Sequence, residues 1–197
     1  MTPQSVIDFA RGVINDAESA TYRNSSDTLL IYVNAGMKEV SSLRPDLFRA
    51  IGDVTCTPGA VEHLLTFPAA QNLVSVLSIH GGAALTEFDM SAMDRFNPGW
   101  RTDTAGDVEQ WARLPSDPLR FFIYPKAPAT PQTVDVVYTA VPLDLALTDS
   151  ITEIPVSYEP ALADYVIYRA ESKDDEHSNT ARATSHYQAF VAKIKGM

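Results

Sequence analysis

The chain has 197 residues, 45% of them hydrophobic, and carries a net charge of −10. This length and composition are typical of one or two compact folded units and argue against extensive disorder. The negative charge argues against a nucleic-acid-binding or membrane-surface protein, because both kinds of binding draw on clustered Lys and Arg. No apolar run approaches the ~20 residues that cross a bilayer, so we expect no membrane insertion.

Two amphipathic helices are predicted at the start of the chain. Apolar residues recur at helical spacing through residues 4–19. Ser25 or Ser26 can cap a second helix, because a serine hydroxyl accepts hydrogen bonds from unpaired backbone N–H groups of a first helical turn. This second helix should end near Arg44, since Pro45 disfavours the helical conformation of the residue before it.

The middle of the chain is predicted to form a β domain. Its short apolar or β-branched runs are each followed by Pro or Gly, and they span residues 54–57, 63–67, 73–79, 119–124 and 133–140. Short strands separated in this way are typical of an antiparallel sandwich or barrel. A helical turn near residues 90–96 is expected to interrupt the strands.

Helical periodicity returns after Tyr158 and indicates two further helices. On the first of them, the spacing predicts a shared face for Leu162, Tyr165, Val166 and Arg169. The second carries a stripe of apolar and aromatic residues at positions 183, 187, 190 and 194. An amphipathic helix cannot bury its stripe alone, so the helices from the two ends of the chain should pack together.

The predicted fold is therefore α+β, with two parts. Residues 1–49 and 156–197 should form a discontinuous four-helix bundle, with two helices from each end of the chain. Residues 50–155 should form an antiparallel β-sandwich or barrel-like domain that is inserted between the two halves of the bundle.

Few residues suggest chemistry. Cys56 and His63 could face each other across a hairpin as the thiol and base of a hydrolase, although a lone buried cysteine usually behaves as a small hydrophobe. Residues 174–177 combine three carboxylates with an imidazole, but they match no EF-hand loop and are typical of a solvated turn between helices. Phosphate-binding loops and nucleophile-elbow motifs are missing from the sequence. We expect no enzyme activity, no metal and no cofactor.

Two tryptophans leave a further alternative open. If Trp100 and Trp111 were exposed in a shared groove, the β domain could bind carbohydrates. Burial of both side chains would remove the main support for that function. Large aromatic residues are also favoured in cores and as anchors of protein interfaces.

An acidic run lies late in the sequence. Between Lys126 and Arg169 there is no Lys or Arg, and the acidic residues of this run include Asp135, Asp144, Asp149 and Glu153. Such a run keeps a protein soluble, or it forms a surface that repels a polyanion or docks a basic partner.

Several segments, in order along nearly the whole chain, carry a family resemblance. They are Asn-Pro-Gly-Trp at 97–100, Asp-Pro at 117–118 with Phe-Phe-Ile-Tyr-Pro at 121–125, the long stretch 154–170, and His-Tyr-Gln-Ala-Phe at 186–190. Together they resemble the head-to-tail adaptor proteins of tailed bacteriophages, especially the tubular adaptors of short-tailed phages.

The resemblance implies a structural protein of the virion, made in the host bacterial cytoplasm. Such adaptors form a ring, commonly of twelve copies, beneath the portal at the capsid vertex, and they join the capsid to the next tail or nozzle protein. We expect the face with Tyr165, Tyr168 and Arg169, together with Tyr158 and Trp100, to contact other subunits or the portal. DNA should pass through the ring without specific binding, and some of the acidic run should face the channel, because like charges repel.

Overall fold

The computed structural model describes residues 1–16, 23–173 and 179–196. These residues form five α-helices, which are α1 (Pro3–Ile14), α2 (Ser26–Leu43), α3 (Met90–Phe96), α4 (Glu159–Glu171) and α5 (Thr180–Lys195). They also form seven strands, which are β1 (Arg49–Thr55), β2 (Glu62–Leu64), β3 (Ala70–Ile79), β4 (Thr86–Glu87), β5 (Gln110–Arg113), β6 (Arg120–Tyr124) and β7 (Thr133–Ala140). The α+β class is thereby confirmed.

The chain divides into two compact units. A helical unit contains Met1–Phe48 and Pro142–Met197, and a β unit contains Arg49–Val141. Four of the helices, α1, α2, α4 and α5, belong to the helical unit, whereas α3 and the strands belong to the β unit.

Local capping explains where the long helices begin and end. The backbone N–H of Ser5 donates to the Thr2 hydroxyl at the start of α1, and Ser25 accepts in the same way from Thr28 at the start of α2. A left-handed Asn15 ends α1, which is shorter than the predicted helix over 4–19. The α2 helix ends before Pro45, as the sequence predicts.

The helical unit is built around α4. This helix packs against α1, α2 and α5, so its residues from Ala161 to Ile167 are all buried rather than forming a single buried stripe. The surrounding helices contribute Val6, Val33 and Phe190, each with no exposed surface, to the same hydrophobic core.

Residues 142–155, which the residue pattern assigns to the inserted domain, pack with the helical unit. Ile151 and Ile154 are buried in the helical core, and the backbone of Ile151 donates to the carbonyl of Met1. The Asn34 side chain holds both backbone groups of Leu145, at 3.0 and 3.1 Å. These contacts link sequence-distant segments, so no local pattern could reveal them.

The β unit contains two sheets. One has the strand order β1-β7-β3 and is antiparallel, and the other has the order β2-β6-β5-β4. The prediction of a purely antiparallel domain is wrong at one edge, because β4 pairs with β5 in parallel. The buried core of this unit includes Trp111, Phe121, Ile123, Val134 and Val136. In the residues that the structure describes, no helix has both the length and the apolar character to cross a membrane.

Candidate functional site

The predicted contact residues on α4 differ in their accessibility. Tyr165 is buried inside the helical unit, Tyr168 is half-buried and Arg169 is exposed. The three therefore do not form one exposed face, because α4 is covered on several sides by its neighbours. Arg169 is the side chain of this set that is most available to another molecule.

A row of aromatic rings connects α4 to α5. The Tyr165 ring lies 5.1 Å from that of Phe190 and 5.7 Å from that of Tyr168, and the Tyr168 ring lies 4.9 Å from that of Tyr187. Burial raises the pKa of Tyr165 and of Tyr187 further above physiological pH, where a phenol is neutral in any case. The row begins in the core and ends at the surface.

The surface end of this row has a polar and aromatic border. The Tyr187 hydroxyl donates to Glu39 Oε1 at 3.1 Å, and the Arg169 guanidinium lies 5.5 Å from the centre of the Tyr32 ring. We call the set Tyr32, Glu39, Tyr168, Arg169 and Tyr187 the aromatic rim. Arg and Tyr are the residue types that most often dominate binding energy in protein interfaces.

Tyr158 and Trp100 have roles inside their own units. The Tyr158 hydroxyl accepts from Arg44 Nη1 at 3.3 Å, and Arg44 also donates to the carbonyl of Ile194 at the end of α5. Trp100 has no exposed surface, and its Nε1 donates to Asp94 at 2.7 Å. Bonds from Arg101 and Trp100 lower the pKa of Asp94, in that order of importance.

The two tryptophans do not form a carbohydrate-binding groove. Trp100 is fully buried, and 2% of the Trp111 surface is exposed. Trp100 instead packs its ring edge against Phe88 and Phe122, at 5.4 and 5.8 Å. The main support for a carbohydrate-binding module is thereby removed.

The candidate thiol and base have environments that suit a core. Cys56 is buried in the hydrophobic cluster of the β unit, and burial raises the pKa of its thiol to about 11. The thiolate form needed for nucleophilic attack is therefore scarce near neutral pH. His63 is also buried, and desolvation lowers the pKa of its imidazole. The structure gives this pair no hydrogen bond to each other among the described residues.

The acidic residues that were predicted to form one face lie in both units. Asp135 belongs to β7, whereas Asp144, Asp149 and Glu153 belong to the helical unit. Asp144 pairs with Lys38 at 2.7 Å, so its charge is partly neutralised. Asp149 and Glu153 are exposed, and the structure gives them no ion pair within the described part of the chain.

One cluster was not predicted from the sequence. Asp53, His80 and Asp135 each offer a ligand-type atom, and these atoms lie within 4.8 Å of one another. The hydrogen bond with Asp135, followed by the charges of Asp135 and Asp53, raises the pKa of His80. The three residues are far apart in the sequence, and the signal that joins them is strand register, which local periodicity does not supply. The acidic segment 174–177 lies outside the described residues.

The comparisons with known proteins concern the whole chain. A family model described as SU10 adaptor protein matches residues 1–197. The chain belongs to the SU10 adaptor protein family. This membership confirms the resemblance to head-to-tail adaptors of tailed bacteriophages, which are structural proteins.

Solved structures with similarity to this SU10 adaptor family chain include one with a low TM-score. Among solved structures it is similar to one described as the neck of an empty GTA particle computed with C6 symmetry. The identity is 15% and the TM-score is 0.30, over 91% of this chain and 80% of the other. The search of curated proteins gives no match.

Proposed function

We propose that this chain is the repeating subunit of a twelve-membered ring that lies between the portal and the tail of a phage particle. The observation that carries the proposal is the adaptor-family match over residues 1–197. As a virion component made in the host bacterial cytoplasm, it would bind the portal on one side and the next tail or nozzle protein on the other. Its work is to join proteins, with no reaction to catalyse.

A ring requires that two different surfaces of neighbouring subunits fit each other. The aromatic rim is the surface that we assign to such a contact, either with a neighbouring subunit or with the portal. Its exposed Arg169 and half-buried Tyr168 and Tyr187 offer a cation and two flat rings beside one another. Their buried partner Tyr165 fixes the row against the core, so little side-chain entropy would be lost on binding.

We propose that the two helical pairs act as one four-helix bundle that carries the β unit as an inserted domain. The exposed acids Asp149 and Glu153 are assigned to the DNA channel, with Asp135 and Asp144 as weaker contributors because each has a positively charged or protonatable partner. A negatively charged channel wall would repel the DNA phosphates, so DNA would pass without adhering.

The experiment that tests the function mixes the purified chain with portal rings and measures mass and stoichiometry. The wild-type chain should add to the portal as a closed ring. Arg169→Glu should leave the chain folded but lower ring assembly by about tenfold or more, because a charge opposite to the original would face the partner surface. Circular dichroism and urea unfolding check the fold.

A matched control is Arg95→Glu, which makes the same change at an exposed arginine of α3 in the β unit. Assembly by this variant should match that of the wild type. If Arg169→Glu assembles as well as the wild type, the rim is not the contact surface. If the wild-type chain itself adds no mass to portal rings, the adaptor function proposed here is wrong.

A further inference from the structure

A row of polar side chains crosses the exposed face of the three-stranded sheet, and Asp135 is the one member of this row with a part, a minor one, in the proposed adaptor function. Asp53 on β1 lies directly opposite Asp135 on β7 in the strand register. Ser78 on β3 lies opposite Asp135 from the other side. The Ser78 hydroxyl donates to Asp135 Oδ2 at 3.0 Å, which fixes the orientation of that carboxylate.

His80 is brought to this row by a tight turn after β3. Its backbone N–H donates to the carbonyl of Thr133 at 2.8 Å, which ties the residue to the start of β7. Gly81 has a φ of +68°, a conformation in which a side chain would be strained, so the turn depends on glycine there. His80 Nδ1 then lies 2.7 Å from Asp135 Oδ1 and 3.7 Å from Asp53 Oδ1.

The charges of this cluster do not balance. Two carboxylates that face each other across antiparallel strands repel, and this arrangement destabilises a sheet unless a cation offsets it. Within the described residues, neither Asp53 nor Asp135 forms an ion pair with a lysine or arginine. His80 supplies at most one positive charge against two negative ones. A divalent cation would offset both.

We propose that Asp53, His80 and Asp135 form a binding site for one divalent transition-metal ion of the zinc class. One imidazole nitrogen with two carboxylate oxygens is a donor set that zinc accepts, and three protein ligands leave a fourth position for water. Magnesium prefers oxygen donors in a strict octahedron and is therefore disfavoured.

The geometry requires small movements of exposed side chains. Ligand atoms around a tetrahedral zinc ion lie roughly 3.3–3.5 Å apart, given bonds of about 2.0–2.2 Å. The distance from His80 Nδ1 to Asp135 must widen slightly, and that to Asp53 must shorten slightly. The side chains of His80 and Asp53 are 62% and 54% exposed, so rotation is unhindered, whereas Asp135 at 21% stays fixed by Ser78.

The test uses the full chain, treated with a chelator and then dialysed. Zinc chloride is titrated into it near neutral pH by calorimetry, and native mass spectrometry counts the ions bound. We expect one zinc ion per chain. His80→Ala, Asp53→Asn and Asp135→Asn should each weaken zinc binding by at least about tenfold, because each removes a ligand. Magnesium chloride should give no measurable binding in the same titration.

The matched control is Asp107→Asn, which removes an exposed carboxylate of the same unit outside the cluster. This variant should bind zinc with the affinity of the wild type. Absence of zinc binding by the folded wild-type chain would overturn the proposal. Unchanged zinc affinity in His80→Ala would also overturn it, since the ion would then be held elsewhere. Portal-ring assembly is a separate readout, so neither result depends on the adaptor function.

Discussion

His63 shows how one buried side chain makes stability depend on pH. It lies on β2 opposite Phe121, with the two ring centres 5.7 Å apart, and its surface is 6% exposed. Its Nε2 atom has no hydrogen-bond partner in the described structure. Desolvation disfavours the charged imidazolium and thus lowers the pKa of His63 below its ordinary value of 6.5.

The sign of the effect follows from proton binding. Below an ordinary histidine pKa near 6.5, the unfolded chain binds a proton at this residue and the folded chain does not. The contribution of neutral His63 to folding is therefore present above that pH and is lost as the pH falls towards the lowered pKa of the folded state. The free energy of unfolding of the wild type should fall between about pH 7.5 and about pH 5.5. We predict that it falls less in the His63→Phe variant, which has no imidazole to protonate at this position.

Urea unfolding of both proteins at the two pH values measures this difference. The comparison between variants is needed because other groups, such as His80 with its raised pKa, titrate in the same range. An equal loss of stability in wild type and variant would show that His63 does not titrate differently in the folded and unfolded states.

At the same scale, residue types were easier to predict than residue partners. The sequence identifies Cys56, His63, Trp100 and Tyr165 as residues to consider, yet burial decides what each does. Trp100 is predicted as a contact residue and lies fully buried, since Phe88, Phe122 and Asp94 come together around it from separate segments. Such burial depends on tertiary structure and leaves no local signal.

At the scale of elements, the approach of α2 to α4 depends on a glycine. A Cβ atom added at Gly36 would lie 3.0 Å from Cδ1 of Tyr165, closer than nearly all real Cβ contacts, and 3.4 Å from Leu162. Gly12 on α1 has open space around the same position, with nothing within 4 Å. The two glycines thus differ in packing while both lie inside helices.

We predict that Gly36→Val unfolds more easily than Gly12→Val by about 1–3 kcal/mol, the usual cost of overpacking a core. The same substitution is made in both helices, so the difference in intrinsic helix propensity cancels. Urea unfolding at constant pH measures both free energies. Equal stabilities would show that α2 and α4 separate without cost.

Strongly periodic or clearly capped elements were predicted well from the sequence. The structure agrees with the serine cap of α2, which is Ser25 of the two candidates, with the end of α2 before Pro45 and with the strand over residues 133–140. Strands β4 and β5 were missed because Thr-Glu and Gln-Trp-Ala-Arg contain no run of apolar or β-branched residues. The parallel pairing of these two strands has no signature in such short segments.

At the scale of the whole molecule, the predicted division of the chain differs from the observed units at one place. Residues 142–155 have no helical period, so their composition suggests a continuation of the β domain. Their apolar side chains instead fill the core of the helical unit, as Ile151 and Ile154 show. Long-range packing in the folded chain determines which hydrophobic core an irregular segment joins.

The same segment carries the two exposed acids that we assign to the channel. Asp149 accepts from the backbone N–H of Ala146 at 2.7 Å, and Glu153 accepts from that of Thr152 at 3.0 Å. These bonds hold both carboxylates in place without neutralising them. A ring with a net charge of −10 on each subunit would multiply this local field.

We predict that the double change Asp149→Lys with Glu153→Lys makes assembled portal–adaptor rings retain double-stranded DNA about tenfold more at low salt, because lysines attract phosphates. Filter binding measures the retained DNA, and the gain should disappear as salt rises, since counterions screen these contacts. The double change Asp107→Lys with Glu109→Lys reverses two exposed charges of the β unit and serves as the control. Equal retention by both double variants would mean that total charge, and not a channel position of residues 149 and 153, controls how DNA passes.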